Sequence, residues 1–427
     1  MHSMQKKRKI AVVVTHRAPY GRLKPVMRAI QVHPGLELQV IVGVSMSVRS
    51  IVRALRYGEY SSFRTTFSAY VRARLKTLFR KGNISRHGLL SGLVRNDGFE
   101  IHKYLPMFLD GGGLTTMLKV QGNVLFELPR LLRELEPDIL LVHADRYEML
   151  PVAMVGAILN IPIAHTQGGD VSGTIDESIR HAVTKLAHIH FPTTEKSRQR
   201  LIQMGEDPRF VYMVGCPTID TLARMDFSID ENIYTRNGNG YGDRIDMHKP
   251  YLLLMQHPVT SEYDRAKENM EEVLNTVQEI NMPTLMFWPN IDGGTDGASK
   301  AVREFLKHHT LPSFTLFKTF ASEDFYRALN SASVAVGNSS SFIREASYLG
   351  TSVVLVGTRQ RERERADNVI EVGYRMDEIV AAIRKQLAHG RYPKSELYGD
   401  GTASEKIARV LSTMPMPSTQ KMFHDLP

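Results

Sequence analysis

Ile139-Leu140-Leu141-Val142-His143, a helical stretch at residues 151–159, and Ile161-Pro162-Ile163-Ala164-His165 make up the segment from which the fold is read. The two flanking runs are short and apolar at successive positions, which marks strands covered on both faces, and a helical pattern lies between them. A strand–helix–strand unit of this kind builds a parallel sheet. The alternation continues in both directions. Upstream lie strands at 10–14, 36–42 and 99–105, a helix opening at 24–30, and a helix at 120–136. Downstream come helices at 174–185 and 193–204 and strands at 188–191 and 210–214. Residues 226–249 are polar, contain Asn237-Gly238-Asn239-Gly240, and are expected to form a linker or long loop. A second alternating series follows, with strands at 251–255, 284–288, 314–318, 334–336 and 352–356. Its helices fall at 266–279, 298–308, 322–329, 341–349, 376–388 and 402–412. The pattern predicts an α/β protein of two doubly wound, Rossmann-like halves, with a ligand cleft between them at the C-terminal ends of the strands.

The chain's 427 residues are 42% hydrophobic and 23% charged, as in an ordinary soluble globular protein with room for two or three domains. Its basic start is followed by an apolar run only at residues 10–14, too short for a signal peptide. No stretch approaches the ~18 apolar residues of a membrane span. Cys216 is the single cysteine, so no internal disulfide is possible and a reducing cytoplasm is the expected compartment. It reads as a small residue at a strand end. The net charge of +9 is concentrated: residues 49–87 hold ten Lys or Arg against one acid, Glu59. Charge confined to one segment argues against a general nucleic-acid binder. Within it Phe67, Val71, Leu75 and Leu78 recur at helical spacing, with Arg72, Lys76 and Arg80 on another face. Docking of that apolar face on its own domain is favoured over contact with an anionic membrane surface or an acidic partner.

After the strand at 161–165, residues 165–181 crowd His165, Gln167, Asp170, Asp176, Glu177, Arg180 and His181 together. Such crowding is costly unless the charges do chemistry or bind a ligand. A helix cap is expected alongside the site, with Thr174 as N-cap and Glu177 as its capping-box partner. Gly337-Asn338-Ser339-Ser340-Ser341 lies between a strand and a helix, where amides and hydroxyls suit phosphate oxygens. Glu345, one turn on, is placed to take a ribose diol, or else is a surface carboxylate paired with Arg344 or a lysine. Arg359 is the candidate phosphate contact after the strand at 352–356; Arg361, Arg363 and Arg365 are expected to be solvated or paired with Glu362 and Glu364. His257 follows another strand, where a neighbouring anion would hold it protonated as a general acid. Arg17 follows the first strand, and Asp145-Arg146 follows the strand ending at His143. No GxxxxGK[ST] or GxGxxG follows a strand, which supports neither a P-loop NTPase nor a standard dinucleotide enzyme. With no CxxC or HExxH, no metal is predicted, and His181, His188 and His190 read as structural.

At these residues the chain resembles the UDP-N-acetylglucosamine 2-epimerases, specifically their hydrolysing branch. The likeness spans nearly the whole chain. It includes residues 165–181, Gly205-Glu206-Asp207-Pro208, Val214-Gly215-Cys216-Pro217-Thr218-Ile219-Asp220, and His257-Pro258-Val259-Thr260. It continues in Pro289-Asn290-Ile291-Asp292, residues 337–345, Gly357-Thr358-Arg359-Gln360, and Tyr398-Gly399-Asp400-Gly401. The resemblance implies a GT-B-like fold whose last helix crosses back to the first domain. The domains are then 1–218 with 402–427 packed back on it, and 219–401. It implies that Arg17, His257, Ser339, Ser340, Glu345 and Arg359 hold UDP, with Asn290 near the uracil side. Asp145, Asp176, Glu177 and His257 would surround the sugar, and Arg146 and His165 would add substrate contacts. The implied reaction removes the C2 proton and expels UDP to give a 2-acetamidoglucal. Water then adds at C1 as C2 is protonated on the opposite face, with no cofactor and no metal.

Four departures stand out. Gln167 replaces a glutamate that takes part in proton transfer in many members, and an amide is no base. Gly21 replaces a serine near the UDP site, and Phe342 replaces a glycine, which is expected to tighten the cleft. The basic segment exceeds the usual spacing. A hydrolysing 2-epimerase acting on UDP-N-acetylglucosamine or a close UDP-hexosamine is the leading expectation. A UDP-diacetamido substrate, a non-hydrolysing epimerase, a GT-B glycosyltransferase and a catalytically impaired nucleotide-sugar-binding regulator remain open. The expected partners are the UDP-sugar and further copies of the chain, as a dimer or tetramer.

Overall fold

A computed structural model describes residues 7–45, 88–109, 114–290, 294–308 and 313–425. The basic segment at 49–87, with its amphipathic pattern, and Asp292 lie outside the described residues.

The first half runs β1 (Arg8–Val14), α1 (Arg17–Val32), β2 (Leu36–Ser45), α2 (Gly88–Asn96), β3 (Lys103–Phe108), α3 (Leu114–Leu135), β4 (Ile139–His143), α4 (Met149–Ile158), β5 (Ile163–Thr166), α5 (Ile175–Leu186), β6 (Ile189–Phe191) and α6 (Glu195–Gln203). Its sheet has the order β3-β2-β1-β4-β5-β6 with every pair parallel. The order reverses between β1 and β4, and such a switch point opens a crevice at the strand C-termini. Both faces are covered, which explains the unbroken apolar runs. Val12, Val40 and Leu141 pack on one face and Ala11, Ile41 and Leu140 on the other.

The second half adds α7 (Pro217–Leu222), α8 (Ile233–Arg236), β7 (Tyr241–Gly242), β8 (Leu252–Met255), α9 (Ala266–Ile280), β9 (Thr284–Phe287), α10 (Thr295–His308), β10 (Phe314–Phe317), α11 (Ser322–Ser331), β11 (Val334–Gly337), α12 (Arg344–Leu349), β12 (Ser352–Val356), β13 (Val369–Val372) and α13 (Met376–His389). Its sheet order is β13-β12-β11-β8-β9-β10-β7, parallel except for the antiparallel β7–β10 edge. The two halves form a two-domain, GT-B-like doubly wound fold. The last helix, α14 (Ala403–Thr413), buries Ile407, Ala408 and Leu411 in the same core as β1 and β2. Beyond it, Lys421 reaches the Glu206 carboxylate, which pairs with the buried His190 at 2.8 Å.

Several elements differ from their sequence patterns. β3 starts at Lys103 because Phe99 is a core side chain, with Arg28 over its ring, rather than the start of a strand. Residues 210–214 make one bridge, His190 to Val211, after a short 3-10 turn. The polar stretch at 226–249 is ordered by Asp324, whose carboxylate takes Arg236 at 2.8 and 2.9 Å and Asn237 at 2.7 Å. It contains α8 and β7. Strand β13 has a half-exposed edge pattern and no apolar run to announce it. Among the described residues no helix is long and apolar enough to cross a membrane, and no His, Cys, Asp and Glu group is arranged to hold a metal.

Candidate active site

The C-terminal ends of the two sheets face one another across a cleft of about 300 Å³, lined by both halves. That is the scale of a small-molecule site. Asp145, Arg146, Asp176, His257, Asn290, Ser339, Ser340 and Arg359 all line it.

On the first half's wall, β4 ends at His143 and delivers Asp145. Arg180, buried on α5, pairs with the Asp145 carboxylate and donates to the Asp170 carbonyl at 2.8 Å. Burial by itself would raise the Asp145 carboxyl. The Arg180 charge outweighs it, with Arg363 and Arg344 adding, and holds the group well below the usual carboxylate range. Asp176 stands one turn before Arg180 on α5, at the helix start. Thr174 caps that helix, accepting the Asp176 N–H at 3.3 Å. Arg146 reaches the buried Glu148 at 3.2 Å.

Three expected site residues turn away. Glu177 accepts the Ser172 N–H at 2.6 Å, so it braces the preceding loop instead of completing a capping box at Thr174. His165 is fully buried, its ring held by the Ala144 carbonyl at 2.9 Å and the Thr184 hydroxyl at 3.2 Å. Burial pushes it down to about 3, so it is a neutral structural histidine. Gln167 is buried with a left-handed backbone (φ 63°). It donates to Cys216 Sγ at 3.5 Å and accepts from Arg344 at 3.1 Å. Burial raises the Cys216 thiol, which suits packing and not nucleophilic attack.

On the second half's wall, Asn338 brackets the backbone of His257. Its Oδ1 accepts the His257 N–H at 2.8 Å and its Nδ2 donates to the His257 carbonyl at 2.8 Å. His257 Nδ1 accepts the Asn290 N–H at 3.3 Å, which places the ring proton on Nε2. Nε2 is thus left as the ring's donor. Ser339 caps the turn that follows, accepting the Ser341 N–H at 3.3 Å. Arg359 donates to the Asn338 carbonyl at 3.5 Å. Glu262 braces its loop, taking Tyr374 at 3.0 Å and the Thr358 hydroxyl.

Glu345 is fully buried and lies behind Arg22, 3.7 Å from its Nε, so it neither faces the cleft nor pairs with Arg344 at the surface. Phe342 is a core side chain and does not narrow the cleft. Arg363 is buried, donating to the Val171 carbonyl at 3.2 Å and lying 3.7 Å from Asp170, instead of being solvated. Arg17 opens α1; its side chain lies outside the described residues. The seam between the halves closes where the Gly173 N–H donates to the Arg359 carbonyl at 3.1 Å. A Cβ at Gly173 would sit 2.0 Å from the Thr358 carbonyl oxygen, so only glycine permits this approach.

Sequence reasoning did not name Arg22, placed Asp170 and Arg180 in the charged cluster without a role, took Arg344 only as a partner for Glu345, and expected Arg363 to be solvated or paired nearby. One signal was available: Arg180 interrupts the buried Ile179 and Val183 face of α5, where an unpaired charge has no place.

The profile of the family described as UDP-N-acetylglucosamine 2-epimerase matches residues 86–412. A UDP-N,N'-diacetylbacillosamine 2-epimerase (hydrolyzing) from Legionella pneumophila is 35% identical over 325 residues, covering 76% of this chain and 84% of its own. A UDP-N-acetylglucosamine 2-epimerase from Neisseria meningitidis serogroup B is 29% identical over 424 residues, covering 98% and 99%. Among solved structures, UDP-GlcNAc 2-epimerase from Neisseria meningitidis bound to UDP-GlcNAc shares the fold with a TM-score of 0.71. It is 15% identical and covers 95% of this chain and 99% of that one.

Proposed function

The chain belongs to the UDP-N-acetylglucosamine 2-epimerase family, and on that premise we propose that it is a hydrolysing 2-epimerase of a UDP-linked 2-acetamido sugar. The observation that carries the reading is the opposition of two walls, carboxylates with a buried arginine on one and neutral and cationic donors on the other. Elimination needs a base at C2 and donors at the departing diphosphate at the same time. We assign the C2 proton to Asp176. Asp145, tied to Arg180, is a weak base and serves to hold that arginine and the sugar. As the C2–H bond breaks, its electrons form the C1=C2 bond and the C1–O bond leaves with UDP. His257, Ser339, Ser340 and Arg359 then meet the developing phosphate charge. Water adds its oxygen to C1, and a proton returns to C2 on the opposite face. Gln167, Glu177 and His165, turned away from the cleft, receive no proton-transfer role.

The Legionella relative's identity favours a 2,4-diacetamido substrate, and the full-length match to the Neisseria relative supports UDP-N-acetylglucosamine as the second reading. Incubation of each nucleotide sugar in heavy water separates them. The expected outcome is UDP plus a free sugar deuterated at C2, with kcat/KM for the diacetamido substrate about tenfold higher or more. A C2-deuterated epimer still joined to UDP would make the enzyme non-hydrolysing. Two intact nucleotide sugars would overturn the reading.

A further inference from the structure

Ser340 lines the cleft, and its hydroxyl oxygen accepts from two arginines. Arg22 Nη2, from α1 of the first half, donates at 2.8 Å, and Arg344 Nη2, from α12 of the second, donates at 2.9 Å. A hydroxyl has two lone pairs, and both are used here, so its own proton is left to be donated. Both guanidiniums line the cleft as well. Arg344 is 97% buried (side-chain exposure 3%), and its Nε has no hydrogen-bond partner among the described residues.

Two like charges converging on one hydroxyl are unfavourable unless an anion joins them. The carboxylates nearby do not complete the set. Glu345 lies 3.7 Å from Arg22, and Asp170 lies 4.0 Å from Arg344 and is shared with Arg363 at 3.7 Å. Burial and the Arg344 charge lower Arg22 below its usual range, whereas negative groups around Arg344, Glu345 and Asp170 among them, outweigh its burial and hold it above its own. The third contact of Arg344 is Gln167 Oε1 at 3.1 Å, an acceptor without charge.

We propose that Arg344, oriented by Gln167, and Arg22 form with Ser340 a clamp for the anionic diphosphate oxygens of the nucleotide sugar, and that Gln167 is a positioning residue whose neutrality leaves the Arg344 charge to the ligand. The clamp rests on the nucleotide-sugar reading given above. It is complete only when both halves contribute, since Arg22 comes from one and Ser340 and Arg344 from the other. A glutamate at position 167 would lie where the amide now does and neutralise Arg344 in the absence of ligand. The amide is therefore suited to orienting a binding residue, not to moving a proton.

Calorimetric titration of UDP, with uridine measured by competition, tests this on wild type, Arg344→Met, Arg22→Gln and Gln167→Glu. Arg344→Met is expected to weaken UDP about thirtyfold or more, the cost of unpairing a buried charged contact, with uridine unchanged. Arg22→Gln and Gln167→Glu are expected to weaken UDP about tenfold, and Gln167→Glu to raise KM without raising kcat. If Arg344→Met does not fold, the other two variants carry the decision, because Arg22 is part-exposed and Gln167→Glu preserves shape. UDP affinity unchanged in both, or a Gln167→Glu variant with higher kcat at the same KM, overturns the clamp. Wild type that fails to bind UDP overturns the nucleotide reading itself.

Discussion

The two walls of the cleft are built on the same architecture and carry opposite chemistry. Both place their residues just beyond the C-terminal ends of parallel strands, at Asp145 after β4 and at His257 and Asn338 after β8 and β11. The first wall holds Asp145 as an anion through a buried arginine, which makes it an anchor and leaves proton transfer to Asp176. The second holds its donors by backbone contacts, Asn338 around His257 and Ser339 over its turn, so they stay directed. The difference shows that strand ends supply position, while the partner behind each side chain decides whether it works as base, anchor or donor.

The largest expected effect tests that division directly. Asp176→Asn should lower turnover about 10²–10⁴-fold, the contribution of a general base, with UDP affinity close to wild type. A parallel loss of UDP binding would show that the first wall also holds the nucleotide, and the comparison would break. The second test strikes the seam where the walls meet. Asp170 is buried, takes Ser197 at 2.7 Å and Thr193 at 3.1 Å, and faces Arg363 and Arg344. Asp170→Ala leaves those arginines buried without it, so urea denaturation should report a loss of roughly 3–5 kcal/mol. A loss below about 1 kcal/mol would mean that the halves are held together elsewhere.

A third test concerns the outer side of the first wall. Glu206 is buried against His190 and Lys421; burial opposes its ionisation, but those partners hold its carboxyl at about 2, below its ordinary 4.5. A depressed carboxylate contributes stability that is present above pH 4.5 and lost as pH falls towards 2. The stability gap between wild type and Glu206→Gln, at most roughly 3 kcal/mol, should therefore narrow across that window. A gap independent of pH would assign the effect to packing of the C-terminal segment. The smallest effect lies at the cleft mouth. A Cβ at Gly21 would meet Ser322 Oγ at 2.6 Å, across the two halves. Gly21→Ser should raise KM about fivefold, equivalent to ~1 kcal/mol of overpacking, and Ser322→Ala in the same chain should recover most of it.

Much of this architecture is legible in the residue pattern. The strands at 139–143 and 161–165 are apolar on both faces because helices cover both, and that signal is local. The same holds for β8 to β12. The stretch at 226–249 has the composition of a linker, yet it is ordered, because its order comes from Asp324, far along the chain, and not from its own apolar residues. The site is legible as a set of strand-end positions, and Asp145, Asp176, His257, Ser339, Ser340 and Arg359 do converge on one cleft. The roles of Arg22, Arg344 and Arg363 are not legible. Arg363 sits in a run of alternating Arg and Glu that looks solvated, and only the approach of Val171 and Asp170 from the other half buries it.

By itself, then, the sequence determined the parallel strands of two sheets, their succession along the chain, and which residues stand at their ends, because apolar periodicity and chain order are properties of short segments. The tertiary structure alone decided which of those residues face the cleft. Glu177 differs from Asp176 not in residue class or place along the chain but in what lies behind it, the Ser172 amide, and the Gln167 amide is likewise turned from the cleft by its contact with Arg344. A side chain's direction and charge state are set by partners that can be hundreds of residues away, and those partners exist only once the two halves have packed.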